Sequence, residues 1–268
     1  MPDPARGPSA GSFAILAGSG FSDFASLSPG RHLVTAYGAP SAPVREIDFG
    51  GQSVWLLQRH GDRQDIPPHR INYRANLAAL RLLSVGNVLA INTVGVIADA
   101  PGPGELAVPD QLIDYTYGRD HSIYDGSSAR LDHIDFTEPF CEPLRRQILD
   151  AARDADVPCR DGGVYAVTKG PRLETAAEVD RLERDGADFI GMTAMPEAAI
   201  ARELQMNYAC LSLIVNFAAG RGAQGIHEDI EASLLEAKTR ALRVMQQLFN
   251  GSTHGTEGGR RDMSGRRR

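Results

Sequence analysis

The chain has 268 residues, 42% of them apolar, and a formal net charge of −6, enough to bury one large core in a single α/β domain. No apolar run approaches the roughly 18 residues a membrane span requires. The opening MPDPARGPSAGSF lacks the apolar centre of a signal peptide, so no membrane partner and a cytoplasmic location are expected. Residues 251–268 carry a local charge of +3, which leaves the remainder at −9, an acidic body that argues against nucleic-acid binding.

Three widely separated cysteines, Cys141, Cys159 and Cys210, fit neither a disulfide framework nor a zinc site and are expected to be buried thiols. His121 and His133 have neither the helical spacing nor the neighbouring cysteines of a metal site, so no metal is expected. The expected organisation is a flexible tail over residues 1–11, one domain over 12–249, and a disordered, arginine-rich tail over 250–268.

The first expected strand, Phe13 to Ala17, runs into Gly18-Ser19-Gly20. Two glycines allow a sharp turn that presents N–H groups, and Ser19 adds a hydroxyl, so the loop suits an anion as well as a plain turn. A dinucleotide fingerprint would need glycine at position 23, where Asp23 stands. Gly50-Gly51 joins two further strands, around 46–49 and 53–58, as a hairpin. The second delivers Arg59-His60-Gly61. Arginine offers a planar fork for two oxygens of an anion and the histidine can add a donor; a surface ion pair of Arg59 with Asp62 or Asp65 is the plainer alternative. The polar stretch from Asp62 to Arg74 should cover a rim.

A helix over 73–84, capped by Asn72 and stopped by Gly86, leads to a strand over 88–91 that ends at Asn92-Thr93-Val94-Gly95. Pro101, Pro103 and Pro109 mark a structured loop, with one strand near 111–114. A helix over 142–155 and a strand over 164–168 follow. Thr175 to Glu178 reads as a capping box, which places Glu174 just ahead of a helix N-terminus; there the carboxylate can serve a ligand or simply offset the helix dipole.

Residues 186–220 read as strand, helix and strand, with Met192, Thr193 and Asn216 at one rim of a parallel repeat. A C-terminal helix over 228–249 places Ile230, Leu234, Ala237, Ala241, Met245 and Leu248 on one face.

Taken together, Ser19 between glycines, Arg59-His60-Gly61, Asn72-Tyr73-Arg-Ala-Asn76, Asp110-Gln111-Leu-Ile-Asp114, Gly170-Pro171-Arg-Leu-Glu174-Thr175 and Gly191-Met192-Thr193-Ala-Met-Pro196-Glu197 resemble the trimeric purine nucleoside phosphorylase and methylthioadenosine phosphorylase family. Within that family the bacterial S-methyl-5'-thioinosine phosphorylases are the nearest match. The resemblance spans about residues 12–249. It departs at Ser19, where the family usually has threonine, and at Val96, where a second glycine often follows Gly95.

The resemblance implies a single-domain α/β fold with a central mixed, largely parallel twisted sheet flanked by helices, a homotrimer, and no cofactor, inorganic phosphate being a co-substrate. It implies phosphate binding by Ser19, Arg59, His60, Thr93 and Thr193, with His60 and Asn216 catalytic. Substrate contacts fall to Met192, Asn216, Phe217, Ala218, Glu174, Leu173, His133 and Val94, with Met192 against the ribose and His133 near its 5' end.

A 6-aminopurine calls for a carboxylate acceptor at the end of the last strand, but this chain has Asn216 there, and Ala218 at the second aspartate position of methylthioadenosine phosphorylases. Asn216 can donate to O6 and N7, and Glu174 can accept the N1–H that only a 6-oxopurine carries. At the 5' position Ile226 favours an apolar methylthio group and His227 a hydroxyl. The expected activity is phosphorolysis of S-methyl-5'-thioinosine. Inosine or guanosine phosphorylase is the runner-up, followed by a methylthioadenosine phosphorylase, a nucleoside hydrolase, and a non-catalytic purine sensor.

Overall fold

The computed structural model describes residues 9–26, 28–49, 51–97, 101–126, 131–222 and 230–251. Eleven described strands form one sheet: β1 (Ser9–Ala17), β2 (Gly30–Arg31), β3 (Val44–Phe49), β4 (Gln52–Gln58), β5 (Val85–Val96), β6 (Leu106–Val108), β7 (Gln111–Asp114), β8 (Cys159–Asp161), β9 (Val164–Val167), β10 (Phe189–Gly191) and β11 (Asn207–Phe217). Five described helices join them: α1 (Tyr73–Leu82), α2 (Glu142–Asp154), α3 (Ala176–Arg184), α4 (Ala194–Glu203) and α5 (Ile230–Gly251).

The order β2-β3-β4-β1-β5-β10-β9-β7 forms the main path, and β11, β6 and β8 branch from the other edge of β5. Pairing is parallel along β4-β1-β5-β11, in β9 with β10 and β7, and in β6 with β8; it is antiparallel at β2-β3, β3-β4, β5-β10 and β6-β11. The sheet is thus mixed and largely parallel, as the sequence implies.

Central strands bury both faces, which is why they read as continuous apolar runs. Along β5, Val88 and Ala90 pack beneath α1 and α4 with Leu77, Leu80 and Ile200. Leu89 and Ile91 point the other way, into α2 and α5 with Ile148, Val244 and Met245. This alternation is the two-residue period of a strand. A third cluster sets Val179 and Leu182 of α3 against Ile97, Ala166 and Ile190.

Local signals in the sequence placed most helix ends. The Asn72 side chain accepts from Ala75 N at 3.0 Å, and Thr175 and Glu178 form the expected capping box. Several boundaries differ. Ser84, with φ of +60°, turns the chain out of α1, while Gly86 is already in β5. β1 begins at Ser9, so residues 9–11 are strand rather than tail. β2, β6 and β8 were not foreseen: at two or three residues each they are too short to show a period.

One difference shapes the site. β5 runs on to Val96 instead of ending near Ile91. β11 follows it in parallel to the end, whereas β10 meets it antiparallel, with Ile190 opposite Gly95. β10-α4-β11 is therefore not a parallel repeat. The ends of β10 and β11 flank the C-terminal part of β5, around Gly95, and run in opposite directions there. No described helix is long and apolar enough to cross a membrane.

Candidate active site

At that convergence lies a cavity of about 330 Å³. It is lined by the ends of β1, β4, β10 and β11, by β5 over Asn92–Gly95, by Leu173 and Glu174 ahead of α3, and by Ile230 and Leu234 of α5. Close approach explains the glycine at the end of β1: a Cβ on Gly18 would lie 2.6 Å from the Ile91 carbonyl oxygen and 2.9 Å from Arg59 Nη1.

Arg59 is fully buried. Its Nε donates to Glu197 Oε1 at 2.5 Å, Nη2 to Glu197 Oε2 at 3.0 Å and to the Leu16 carbonyl at 3.3 Å, and Nη1 to the Ile91 carbonyl at 2.9 Å. Those four bonds take up four of the five N–H donors of a guanidinium. One on Nη1 is left over, on a residue that lines the cavity. Burial works against the charge, but the Glu197 carboxylate outweighs it by attraction and hydrogen bonding, so Arg59 stays protonated.

Behind the pair lies a polar network enclosed by the core. Tyr208 Oη donates to Glu197 Oε2 at 2.8 Å, Asn92 Nδ2 to Cys210 Sγ at 3.3 Å and Ser212 Oγ to Asn92 Oδ1 at 2.8 Å. The apolar surroundings hold the Tyr208 hydroxyl well above its ordinary pKa and push the Cys210 thiol up to about 12, so both are protonated donors.

His60 Nδ1 lies 2.8 Å from the Ile66 carbonyl oxygen. A carbonyl only accepts, so Nδ1 carries the proton. Burial, with the Arg59 charge beside it, lowers the His60 pKa. The neutral ring therefore leaves Nε2 as an acceptor, where the sequence led us to expect a donor. On the far side, Glu174 Oε1 accepts from Thr168 Oγ1 at 2.7 Å. The Asn216 amide donates to the Phe217 carbonyl at 2.7 Å, which leaves its second N–H and its oxygen available.

Comparison with known proteins agrees with this geometry. Residues 12–250 match the family model for the phosphorylase superfamily. The chain belongs to that superfamily. This phosphorylase is 43% identical to a probable S-methyl-5'-thioinosine phosphorylase of Pseudomonas syringae, over 90% of this chain and 99% of the relative. It is 54% identical to one from Xylella fastidiosa, over 70% and 76%, and 39% identical to a 6-oxopurine nucleoside phosphorylase of Pyrococcus furiosus, over 85% and 88%. Among solved structures, methylthioadenosine phosphorylase from Schistosoma mansoni in complex with tubercidin superposes with a TM-score of 0.83 at 28% identity, covering 90% of this chain and 91% of that one.

The phosphorylase cavity gathers most residues singled out from sequence: Ser19, Arg59, His60, Thr93, Val94, Leu173, Glu174, Met192, Thr193, Asn216 and Ala218 all line it. Thr193 sits at the N-cap of α4 without a side-chain capping bond, and its hydroxyl interacts with that of Tyr165 at the cavity wall.

Other expectations need correction. His133 is exposed and does not line the cavity of its own chain. Phe217 sits where β11 leaves the sheet, 39% exposed and outside the lining. Arg59 pairs with neither Asp62 nor Asp65, which bind Arg45 and Arg63 at 2.6 Å each. Cys210 is buried, but Cys141 and Cys159 are only half-buried. Ile226 and His227 lie outside the described residues.

Three participants were missed. Ile230 and Leu234, assigned to core packing, line the cavity. Glu197 has no exposed surface; a lone carboxylate inside the apolar run Ala-Met-Pro-Glu-Ala-Ala-Ile was its signal, since buried glutamates are rarely unpaired.

Proposed function

We propose that this phosphorylase cleaves 6-oxopurine nucleosides with inorganic phosphate, and that S-methyl-5'-thioinosine is its substrate, giving hypoxanthine and 5-methylthioribose 1-phosphate. The observation that carries the reading is the pairing of Asn216 and Glu174 in one cavity, with Ala218 in place of a second acceptor. Asn216 offers an N–H to O6 or N7, and Glu174 accepts N1–H. Adenine has no N1–H to give and would set the lone pair of N1 against the Glu174 carboxylate, and a polar group left without a partner is costly.

Phosphate is held by Ser19, Thr93 and Thr193 hydroxyls and by the remaining Nη1 N–H of Arg59. His60 Nε2 accepts a hydrogen bond from the O–H of a singly protonated phosphate. A phosphate oxygen attacks C1' as the bond from C1' to N9 breaks. The electron pair of the broken bond passes to the purine, where Asn216 stabilises charge gathering on N7; the departing base takes up a proton from solvent to give hypoxanthine, and the phosphate ester gives one back. The ribose is cationic in between, and the adjacent phosphate anion both stabilises that charge and supplies the nucleophile at high effective concentration.

Met192 packs against the ribose. Ile230 and Leu234 add an apolar wall from α5, which suits a methylthio group better than a hydroxyl. Relatives named as S-methyl-5'-thioinosine phosphorylases support the same choice. Inosine and guanosine are the second reading, supported by the likeness to the Pyrococcus furiosus enzyme. The proposal includes a homotrimer in which exposed residues such as His133 face a neighbouring cavity.

The test is base release from S-methyl-5'-thioinosine, inosine and methylthioadenosine, each with and without phosphate. Phosphate-dependent hypoxanthine release, fastest from the methylthio compound, is expected. Phosphate-independent release would make the protein a hydrolase, and a preference for methylthioadenosine would overturn the role of Asn216.

A further inference from the structure

We propose that Arg119 is a positioning residue that clamps together the two loops carrying the nucleoside-binding groups. The inference rests on the reading of Glu174, Met192 and Thr193 as substrate ligands.

Arg119 lies between β7 and α2, half-buried, and does not line the cavity. Its Nη1 donates to the carbonyls of Met192 at 2.8 Å and Met195 at 2.5 Å. Its Nη2 donates to those of Thr168 at 3.3 Å and Lys169 at 2.8 Å. The first pair spans the turn leaving β10, which carries Met192 and Thr193, and the start of α4, which holds Met195. The second belongs to the loop leaving β9, which leads to Glu174 and contains the Thr168 that holds its carboxylate. One guanidinium thus joins four carbonyls at two strand ends.

The arginine is itself anchored. Its guanidinium lies 5.2 Å from the centroid of the Tyr73 ring, and the Tyr73 hydroxyl donates to the carbonyl of Pro68 at 2.8 Å, a cavity residue. The Arg119 carbonyl lies 2.9 Å from His121 Nδ1. Asp120 pairs with Arg74 at 2.5 Å, and Glu203 at the end of α4 accepts from Ser122 Oγ and Ile123 N, both at 2.7 Å. Arg119 Nε has no hydrogen-bond partner among the described residues, so the two outer nitrogens and the ring face place the group.

The chemistry requires arginine. Carbonyls converging from two directions call for a planar fork of donors; a lysine ammonium is a point charge on a flexible stem and cannot span both loops. Releasing either loop changes the separation between Met192 against the ribose and Glu174 against the base. Misplacement by about 1 Å costs on the order of 100-fold in rate even when the change is remote from the reacting atoms.

The experiment compares full-length wild type with Arg119→Lys and Arg119→Ala, measuring kcat and KM separately for S-methyl-5'-thioinosine and phosphate, alongside Tm. Arg119→Lys should fold and lose about 100-fold in kcat/KM for the nucleoside. Arg119→Ala should lose more and recover saturably on addition of millimolar guanidinium, with no rise in Tm. That recovery is a readout a merely structural residue would not give.

Wild-type kinetics in Arg119→Lys, failure of guanidinium to restore Arg119→Ala, or failure of both variants to fold would each overturn the clamp. If wild type itself releases no base in a phosphate-dependent way, the functional reading fails and the clamp falls with it. An active wild type with unaffected variants refutes the clamp alone.

Discussion

Replacing Glu197 by glutamine tests whether the proposed phosphate end of the cavity is built on a buried ion pair. Glu197 and Arg59 are both without exposed surface, and the carboxylate accepts two bonds from Arg59 and one from Tyr208. Glutamine keeps the size but removes the charge, and its amide nitrogen would face donors. Arg59 would then have only the Leu16 and Ile91 carbonyls to offset a fully buried cation.

Breaking a buried pair in this way costs about 3–5 kcal/mol. At roughly 2–4 °C per kcal/mol for a chain of this size, Tm should fall by about 6–20 °C. Thermal unfolding by circular dichroism reads the stability, and initial rates against phosphate concentration read the site; KM for phosphate should rise more than KM for the nucleoside. The double variant Arg59→Met with Glu197→Leu separates the two effects. It should recover much of the Tm, because apolar replacement of a buried pair is often neutral or stabilising, but not the phosphorolysis. A Tm within about 2 °C of wild type in Glu197→Gln, with phosphate KM unchanged, would refute the reasoning.

Asn216→Asp places a carboxylate opposite O6 and should lower the ratio of 6-oxo to 6-amino kcat/KM by about 10- to 100-fold, read from paired assays on S-methyl-5'-thioinosine and methylthioadenosine; an unchanged ratio would remove Asn216 from base recognition. The His60 ring should titrate below its ordinary value of 6.5 in an NMR pH series. With the folded pKa lowered, its contribution to stability is complete above 6.5 and is lost as pH falls through the folded value; a midpoint at or above 6.5 contradicts the burial argument. Gly191→Ala puts a Cβ 2.2 Å from the Tyr165 hydroxyl and 2.8 Å from its Cζ. Because that ring is fully buried, overpacking should cost about 1–3 kcal/mol and raise phosphate KM through Thr193; wild-type Tm and KM would show that the ring can move aside.

The sequence by itself determined the parts of this protein that local chemistry controls. The caps at Asn72 and Thr175, the apolar runs of β1, β5 and β11, and the glycine turns are decided within a few residues, so they are legible without neighbours. The cavity was legible in outline because many of its groups sit where strands end, as at Ser19, Arg59 and Asn216, and there a hydroxyl, an arginine or an amide in place of an apolar residue stands out. Tertiary structure decided the rest. That β10 meets β5 antiparallel depends on a pairing between residues about 95 positions apart in the chain, on which local periodicity is silent. Arg59 turned inward because Glu197 lies 138 residues away in sequence yet at hydrogen-bond distance. The tautomer of His60 follows from one carbonyl, that of Ile66, and the loops beside Glu174 and Met192 meet only at Arg119. Each depends on which groups share a buried volume, and that is fixed only when the sheet assembles.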